Sequence, residues 1–194
     1  LYAGTGNYER IADKSAGVEN LMLGINDPWY PEYKEMNTPT KADDLSQCVN
    51  TTNNTSGSFS CPNVAGSRGW YIILDYFKKV TAEPTVSSGL VYFPIYKPTT
   101  SVNACSLGEA FICAIDDECG TNLSSRLKPN TRMGQANEKC KYVGEGVLSR
   151  IVTFAGKLFA NIAGQSTDLD KKDLVQIEGS TGDVTTYRNS WRMN

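Results

Sequence analysis

Val-Thr-Ala-Glu-Pro-Thr-Val-Ser-Ser-Gly-Leu-Val-Tyr-Phe, at positions 80–93, is the stretch that decides the fold, because a similar stretch follows later in the chain. The second copy, at positions 147–160, reads Val-Leu-Ser-Arg-Ile-Val-Thr-Phe-Ala-Gly-Lys-Leu-Phe-Ala. Each copy contains two short runs typical of strands, separated by Ser88-Gly89 or Ala155-Gly156. Glycine supplies the positive φ that a tight hairpin turn requires. The repeat therefore predicts two β-hairpins whose equivalent residues lie 67 positions apart.

A partial third copy stands at the start of the sequence, where residues 1–6 resemble the second half of the repeated stretch. Repeated hairpins with long spacers are typical of the blades of a β-propeller. Glycine is abundant and helix-length apolar periodicity is scarce, so an all-β fold is predicted. A chain that opens in the middle of a repeat is expected to be a piece of a larger protein. Further strands are predicted at Val18–Ile25, Gly69–Asp75, Phe111–Asp116, Leu174–Glu178 and Thr185–Arg192.

Composition and charge narrow the classes of partner. The 194 residues carry a net charge of −2, whereas a nucleic-acid-binding surface is usually basic, so no nucleic-acid partner is expected. No apolar run approaches the about 20 residues that a membrane-spanning helix needs, so no membrane span is expected. The first residues also lack the basic and apolar regions of a signal peptide.

The six cysteines indicate disulfides. The chain has no histidine and no Cys-x-x-Cys pair, which argues against a zinc site. Disulfides imply an oxidising compartment such as the periplasm, the cell surface or the exterior. Cys48 and Cys61 bracket a loop rich in Thr, Asn, Ser and Gly, and we expect them to pair. The remaining four allow three connectivities, among which the sequence does not choose; they are Cys105, Cys113, Cys119 and Cys140.

An insertion rich in proline, Asn, Thr and Ser is expected at about residues 28–68, largely irregular and on the surface. Its aromatic residues Trp29, Tyr30 and Tyr33 have two interpretations. Aromatic side chains often hold an irregular loop against its domain, and this is the favoured interpretation. Exposed Trp and Tyr are also common in binding surfaces, so these three are candidates for contact with a partner.

Acidic residues give only weak metal candidates. Asp168, Asp170 and Asp173 alternate as calcium ligands can, but Lys171 and Lys172 stand where further ligands or the central glycine belong. A solvated charged turn is favoured there. Without histidine, a Ser-His-Asp or Cys-His catalytic set cannot form within the chain, and no enzyme activity is expected.

Several segments together resemble the C-terminal propeller of the type IV pilus tip-associated adhesin family, the PilY/PilC family. The first carries a Gly-Thr-Gly-x-Tyr strand, the second ends in Gly-Ile-x-Asp, the third begins with Gly-Trp-Tyr and ends in Val-Tyr-Phe, the fourth begins with Cys-Ser-x-Gly, and the last is Ser-Trp-Arg. In chain order they are Leu1–Tyr8, Leu21–Asp27, Gly69–Phe93, Cys105–Asp116 and Ser190–Arg192. Cys113 and Cys119 have no counterpart among the family landmarks.

The resemblance implies that residues 1–194 are the last two to three blades of a propeller, with disulfide-clipped loop insertions. It implies a protein of the pilus tip, at the outer membrane or outside the cell, that promotes pilus extrusion and binds surfaces or host cells. Its partners would be minor pilins or other tip subunits and a host-cell or surface receptor. No cofactor is implied for this chain, because the family's calcium loop lies upstream of the matching segments.

Two other classes of protein remain open. One is a fragment of a quinoprotein dehydrogenase, which also has a propeller but typically carries two adjacent cysteines, and none are adjacent here. The other is a surface glycoprotein of a virus or a eukaryote. Four Asn-x-Ser/Thr sequons favour this second class, at Asn50, Asn53, Asn54 and Asn122.

Overall fold

The computed structural model describes residues 1–6, 11–14, 19–26, 45–47, 68–74, 77–99, 107–118, 140–163 and 174–178. These residues form thirteen β-strands and no helix, so the predicted all-β class is confirmed. Within the same residues, no helix is long and apolar enough to cross a membrane.

Four strands form the first sheet. Its order is β1-β2-β4-β3, and all pairs are antiparallel except β3 with β4. The strands are β1 (Tyr2–Gly4), β2 (Asn20–Ile25), β3 (Ser46–Gln47) and β4 (Gly69–Leu74). β3 was not predicted, because it consists of two residues within the segment that was expected to be an irregular insertion.

The second sheet is antiparallel throughout. β7 pairs with β5 and β6 as well as with β8, and β9 completes the sheet on the other side of β8. The strands are β5 (Lys79–Val80), β6 (Thr85–Ser87), β7 (Leu90–Lys97), β8 (Glu109–Asp116) and β9 (Lys141–Glu145). β9 was not predicted, since an edge strand between polar segments shows little apolar alternation.

The third sheet repeats the arrangement of the second. β12 pairs with β10, β11 and β13, each time antiparallel. The strands are β10 (Val147–Leu148), β11 (Val152–Phe154), β12 (Lys157–Ala163) and β13 (Leu174–Glu178). β13 has the predicted bounds, whereas the strand predicted at Thr185–Arg192 lies outside the described residues.

Both predicted hairpins are confirmed, and they are equivalent residue by residue. Thr85 is opposite Tyr92 in the first, and Val152 is opposite Phe159, each 67 positions later, in the second. The turn residues have positive φ in both hairpins. The angles are 54° and 72° at Ser88 and Gly89, and 49° and 73° at Ala155 and Gly156. Two consecutive positive φ angles are those of a type I′ turn, whose twist matches that of the strands.

The three sheets are stacked, with the second sheet in the middle. Side chains alternate along β7, so that Tyr92 packs in one buried cluster and Phe93 in another. The first cluster joins the second sheet to the third through β12 residues such as Leu158. The second cluster joins it to the first sheet through Met22 and Trp70. Both faces of β7 are therefore buried. None of these described sheets closes on itself.

Gly89 shows that the hairpin turn requires a left-handed backbone conformation rather than a small side chain. A Cβ at this position would meet only Asp117 Oδ1, at 4.0 Å, so space is no obstacle. The left-handed conformation alone costs a residue with a Cβ about 1–2 kcal/mol. We therefore expect Gly89→Ala to lower the free energy of unfolding by about that amount in urea titrations. Ser88→Gly, which relieves the same conformation one residue earlier, should cost nothing or stabilise; equal losses from both would contradict this account.

Candidate interaction surface

Of the candidate site residues named from the sequence, the structure describes two, Cys113 and Cys140. Cys113 and Cys140 are described and form a disulfide, which settles one of the pairings that the sequence left open. The other candidates lie outside the described residues; they are Cys48, Cys61, Cys105, Cys119, Trp29, Tyr30, Tyr33, Asp168, Asp170 and Asp173. In the described part of the chain, no group of three or more acidic, Cys or His residues is placed to hold a metal ion.

One contact joins the first sheet to the second around the carbonyl oxygen of Asp117. Tyr2 donates its hydroxyl to this oxygen at 2.9 Å, and the Trp70 indole Nε1 donates to it at 3.3 Å. The two rings lie 6.1 Å apart. Gly24 makes room for the indole, since a Cβ there would lie 2.5 Å from Trp70 Cε2. Asp117 in turn donates its backbone N–H to the hairpin turn at Gly89. The contact therefore holds two sheets and one turn together.

The acidic turn beside this contact affects the titration of Tyr2. Burial raises the pKa of the phenol, and the nearby charges of Asp117, Asp116 and Glu118 raise it further. A group whose pKa is higher in the folded state than in the unfolded one stabilises the fold below its unfolded pKa. That stabilisation is lost as the pH rises through the folded pKa. For a tyrosine, the loss begins above pH 10 or so.

We therefore expect the stabilisation by Tyr2 to disappear in alkaline solution. Near pH 8, Tyr2→Phe should cost about 1 kcal/mol, the worth of an ordinary hydrogen bond. The difference in unfolding free energy between the two proteins should shrink as the pH rises above about 10 and through the raised pKa of Tyr2, because the hydroxyl is then ionised and no longer donates. Urea titrations across this range measure it. A difference that stays constant would mean that the phenol does not ionise in this range or does not donate.

Lys79 connects the second sheet to the segment between β1 and β2. Its side chain is buried, at 5% exposure, and its ammonium donates to the carbonyls of Ile11 at 2.7 Å and Asp13 at 2.9 Å. Burial lowers the pKa of the amine, and the charge of Asp13 acts in the opposite direction. The ammonium thus holds the 11–14 segment, which belongs to the connection between β1 and β2, against β5.

Contacts between the second and third sheets join equivalent positions of the repeat. Thr81 donates its hydroxyl to the carbonyl of Leu148 at 3.0 Å, and Arg150 binds Glu83 at 2.9 Å. In both pairs the residues are 67 positions apart. The second full repeat therefore stacks on the first through equivalent positions. Among the described sheets, the second has one face toward the first sheet and the other toward the third.

None of the described residues covers the outer face of the third sheet, here called the Phe154 face. Its apolar side chains include Val152, Phe154 and Leu174, which are 57%, 73% and 52% exposed. The strand registers place Phe159 and Gln176 beside Val152, and Lys157 beside Phe154. The opposite face of β12 carries Leu158, Ala160 and Ile162 and is buried against the second sheet.

The repeat shows what covers the equivalent face one sheet earlier. Phe159 corresponds to Tyr92 and Phe154 to Ser87, and on the second sheet this side is buried by the third sheet. Sequence analysis did not identify the Phe154 face. The signal that could have found it is the replacement of polar Ser87 by Phe154 at equivalent positions. A contiguous patch of exposed apolar side chains, such as Val152, Phe154 and Leu174, is typical of a contact surface, whereas a single exposed one is not.

A known structure is similar in fold to this chain. The crystal structure of the Pseudomonas aeruginosa PilY1 C-terminal domain matches with a TM-score of 0.52 over 84% of this chain, at 16% sequence identity. The chain has a PilY1-like fold. It spans only 39% of that domain's chain, so the match concerns about two fifths of the PilY1 domain. No protein-family model and no curated protein matches the sequence itself.

Proposed function

We propose that this chain belongs to a type IV pilus tip-associated adhesin and pilus biogenesis factor, in which it forms part of a C-terminal propeller. The observation that carries the proposal is the PilY1-like fold over 84% of the chain. The landmarks in the sequence, from the Gly-Thr-Gly strand to Ser-Trp-Arg, agree with it. The Cys113–Cys140 disulfide is in keeping with a location at the cell surface or the pilus tip.

The proposed propeller is supported by the way the sheets stack. The second full repeat packs on the first through equivalent positions, as successive blades do around a propeller axis. The exposed Phe154 face is the place where the next blade would pack. Residues 1–194 would then supply two to three blades, and the remaining blades would come from the rest of a longer protein.

The proposed activity is binding. The partners are minor pilins or other tip subunits, together with a host-cell or surface receptor, and the result is pilus extrusion against retraction. The chain is proposed to have no catalytic role and no cofactor of its own, with calcium held elsewhere in the full-length protein. Its net charge of −2 is in keeping with protein partners rather than nucleic acid.

Deleting the gene in its own bacterium tests the proposal. We expect the number of surface pili, counted by electron microscopy, and adherence to host cells or abiotic surfaces to fall together. Re-expression of the full-length gene should restore both. Removing the retraction motor in the deletion strain should restore the pili, because the protein would act against retraction. Normal piliation and adherence in the deletion strain would reject the proposed function.

A substitution on the Phe154 face tests the proposed propeller separately. In the isolated chain, Phe154→Lys should change the free energy of unfolding by no more than about 0.5 kcal/mol, because the side chain is already exposed. In the full-length protein the same change should lower stability and piliation, since a lysine would be buried between blades.

The matched control is Val86→Lys. Val86 is 48% exposed and lies in the equivalent hairpin. Because side chains alternate along a strand, Val86 points to the opposite side of β6 from Thr85 and Ser87. This variant should leave piliation unchanged. If Phe154→Lys is equally harmless in the full-length protein, no blade packs on the Phe154 face.

A further inference from the structure

The face of the first sheet that points away from the second sheet is apolar. Because side chains alternate along a strand, this face, here called the Leu23 face, carries every second residue of β1, β2 and β4. The registers place Leu23 between Ala3 and Tyr71. All of its apolar side chains named here are half-buried, and none belongs to either buried cluster of the described residues. They are Ala3, Leu21, Leu23, Ile25, Tyr71 and Ile73.

Strands β2 and β4 lack the alternation of a sheet that has one face in water. They read Asn-Leu-Met-Leu-Gly-Ile and Gly-Trp-Tyr-Ile-Ile-Leu. An antiparallel strand with one solvated face alternates apolar and polar residues, whereas a continuous apolar run is typical of a strand buried on both faces. β7 and β8 of the second sheet contain such runs, and both of their faces are buried. The first sheet therefore has the sequence of a sheet that is covered on both sides.

Two tyrosines define corresponding positions in the first and second sheets. Tyr2 faces the second sheet and Tyr92 faces the third, so each points to the next sheet of the stack. Each also lies opposite a small residue of the neighbouring strand, Gly24 for Tyr2 and Ala114 for Tyr92. Gly24 of β2 therefore corresponds to Ala114 of β8, and the residues on either side of them correspond as well.

This correspondence shows what covers such a face in the second sheet. The residues of β8 that match the Leu23 face are at most 3% exposed, because they pack with Met22 and Trp70 of the first sheet. The matching positions of β2 are half-buried. The matched residues are Leu21, Leu23 and Ile25 in β2 and, in the same order, Phe111, Cys113 and Ile115 in β8.

We infer that the Leu23 face packs against a further β-sheet, which covers it as the first sheet covers the second. The inference rests on the proposed function, since that sheet would belong to the rest of the proposed propeller. The two described contacts between sheets indicate its chemistry. In both, the covering sheet presents an aromatic residue opposite a small one, Tyr2 opposite Gly24 and Tyr92 opposite Ala114. The partner is thus an apolar sheet face with an aromatic residue opposite glycine or alanine.

Thiol labelling of Leu23→Cys tests the inference. The variant is made in the full-length protein and in the 194-residue chain, and each is treated with iodoacetamide under native conditions before peptide mapping by mass spectrometry. In the 194-residue chain we expect the new thiol to react. In the full-length protein it should react at least about tenfold more slowly, because a covered side chain is reached only through local opening.

Two matched variants calibrate the labelling. Val86→Cys places a thiol at a position that is 48% exposed, and it should react equally fast in both proteins. Ile115→Cys places one at the position that corresponds to Ile25 but is already buried by the first sheet, and it should be protected in both proteins.

Other occupants of the Leu23 face give different results, and each of them overturns the inference. If residues 27–44 cover the face, the thiol of Leu23→Cys is already protected in the 194-residue chain. If a second copy covers it, the protection is lost on dilution. Rapid labelling in the full-length protein would show that nothing packs there. None of these outcomes bears on the pilus role, which piliation and adherence measure separately.

Photo-crosslinking identifies the covering segment directly. Tyr71 lies opposite Leu23 on the same face, and Tyr71→benzoylphenylalanine keeps an aromatic ring at this position. On irradiation, the full-length variant should become linked to a peptide outside residues 1–194. Tyr142→benzoylphenylalanine, on strand β9 of the second sheet, is the control and should not give this link. A link from position 71 only to peptides within residues 1–194 would contradict the inference.

Discussion

Trp70→Ala should lower the free energy of unfolding by about 3–5 kcal/mol, the usual loss when a large aromatic side chain is removed from a core. Trp70 is 3% exposed and belongs to the buried cluster between the first and second sheets. Its ring fills the space left open by Gly24, and its indole N–H binds the carbonyl of Asp117. Truncation therefore removes packing and leaves a cavity where the two sheets meet. For a domain whose total stability is typically about 5–15 kcal/mol, this loss is a large fraction of the total.

Two further variants separate packing from hydrogen bonding at this position. Trp70→Phe keeps most of the ring contact but removes the indole N–H, so a smaller loss of about 1–2 kcal/mol is expected. Tyr71→Ala alters the neighbouring residue on the other face of β4, which is only half-buried. Urea titrations followed by circular dichroism measure all three. A loss from Tyr71→Ala as large as that from Trp70→Ala would show that the contact between the sheets is not the cause.

Removal of the Cys113–Cys140 disulfide, in the variant Cys113→Ala/Cys140→Ala, should cost about 3–4 kcal/mol, as loop-closure entropy predicts for a bridge across 27 positions. The bridge closes a loop that includes the acidic turn at Asp116–Glu118. It also continues the ladder between β8 and β9, in which Ile112 is opposite Lys141. Its loss should therefore increase the freedom of the unfolded chain more than it disturbs the folded sheet. Urea titrations of the unreduced proteins measure the difference.

Cys113 is buried, so the double alanine variant also loses some packing. Cys113→Val/Cys140→Ala is the control, because valine refills the space without restoring the covalent link. We expect it to recover no more than about 1 kcal/mol of the loss, the value of one or two methyl groups. If it recovers nearly all of the stability, the cross-link contributes little and the cavity accounts for the effect.

The sequence alone determined the all-β class and the two hairpins, because their information is local. Alternating side chains and a glycine at each turn specify a hairpin without reference to the rest of the chain. The 67-residue offset located both turns, and the structure shows equivalent register in the two copies. Leu174–Glu178 was also predicted with its observed bounds, since it is a short apolar run between polar segments.

The tertiary structure alone decided which faces pack together. β9 is an edge strand without a clear pattern, and its position follows from its pairing with β8. The partner of Cys113 depends on the same pairing, which brings residues 27 positions apart together. Tyr2, Trp70 and Asp117 meet only because the first sheet stacks on the second. The exposure of Phe154 likewise follows from its place on the last described sheet of the stack. Such contacts depend on pairing and stacking between distant segments, and a local pattern of residue types carries no information about them.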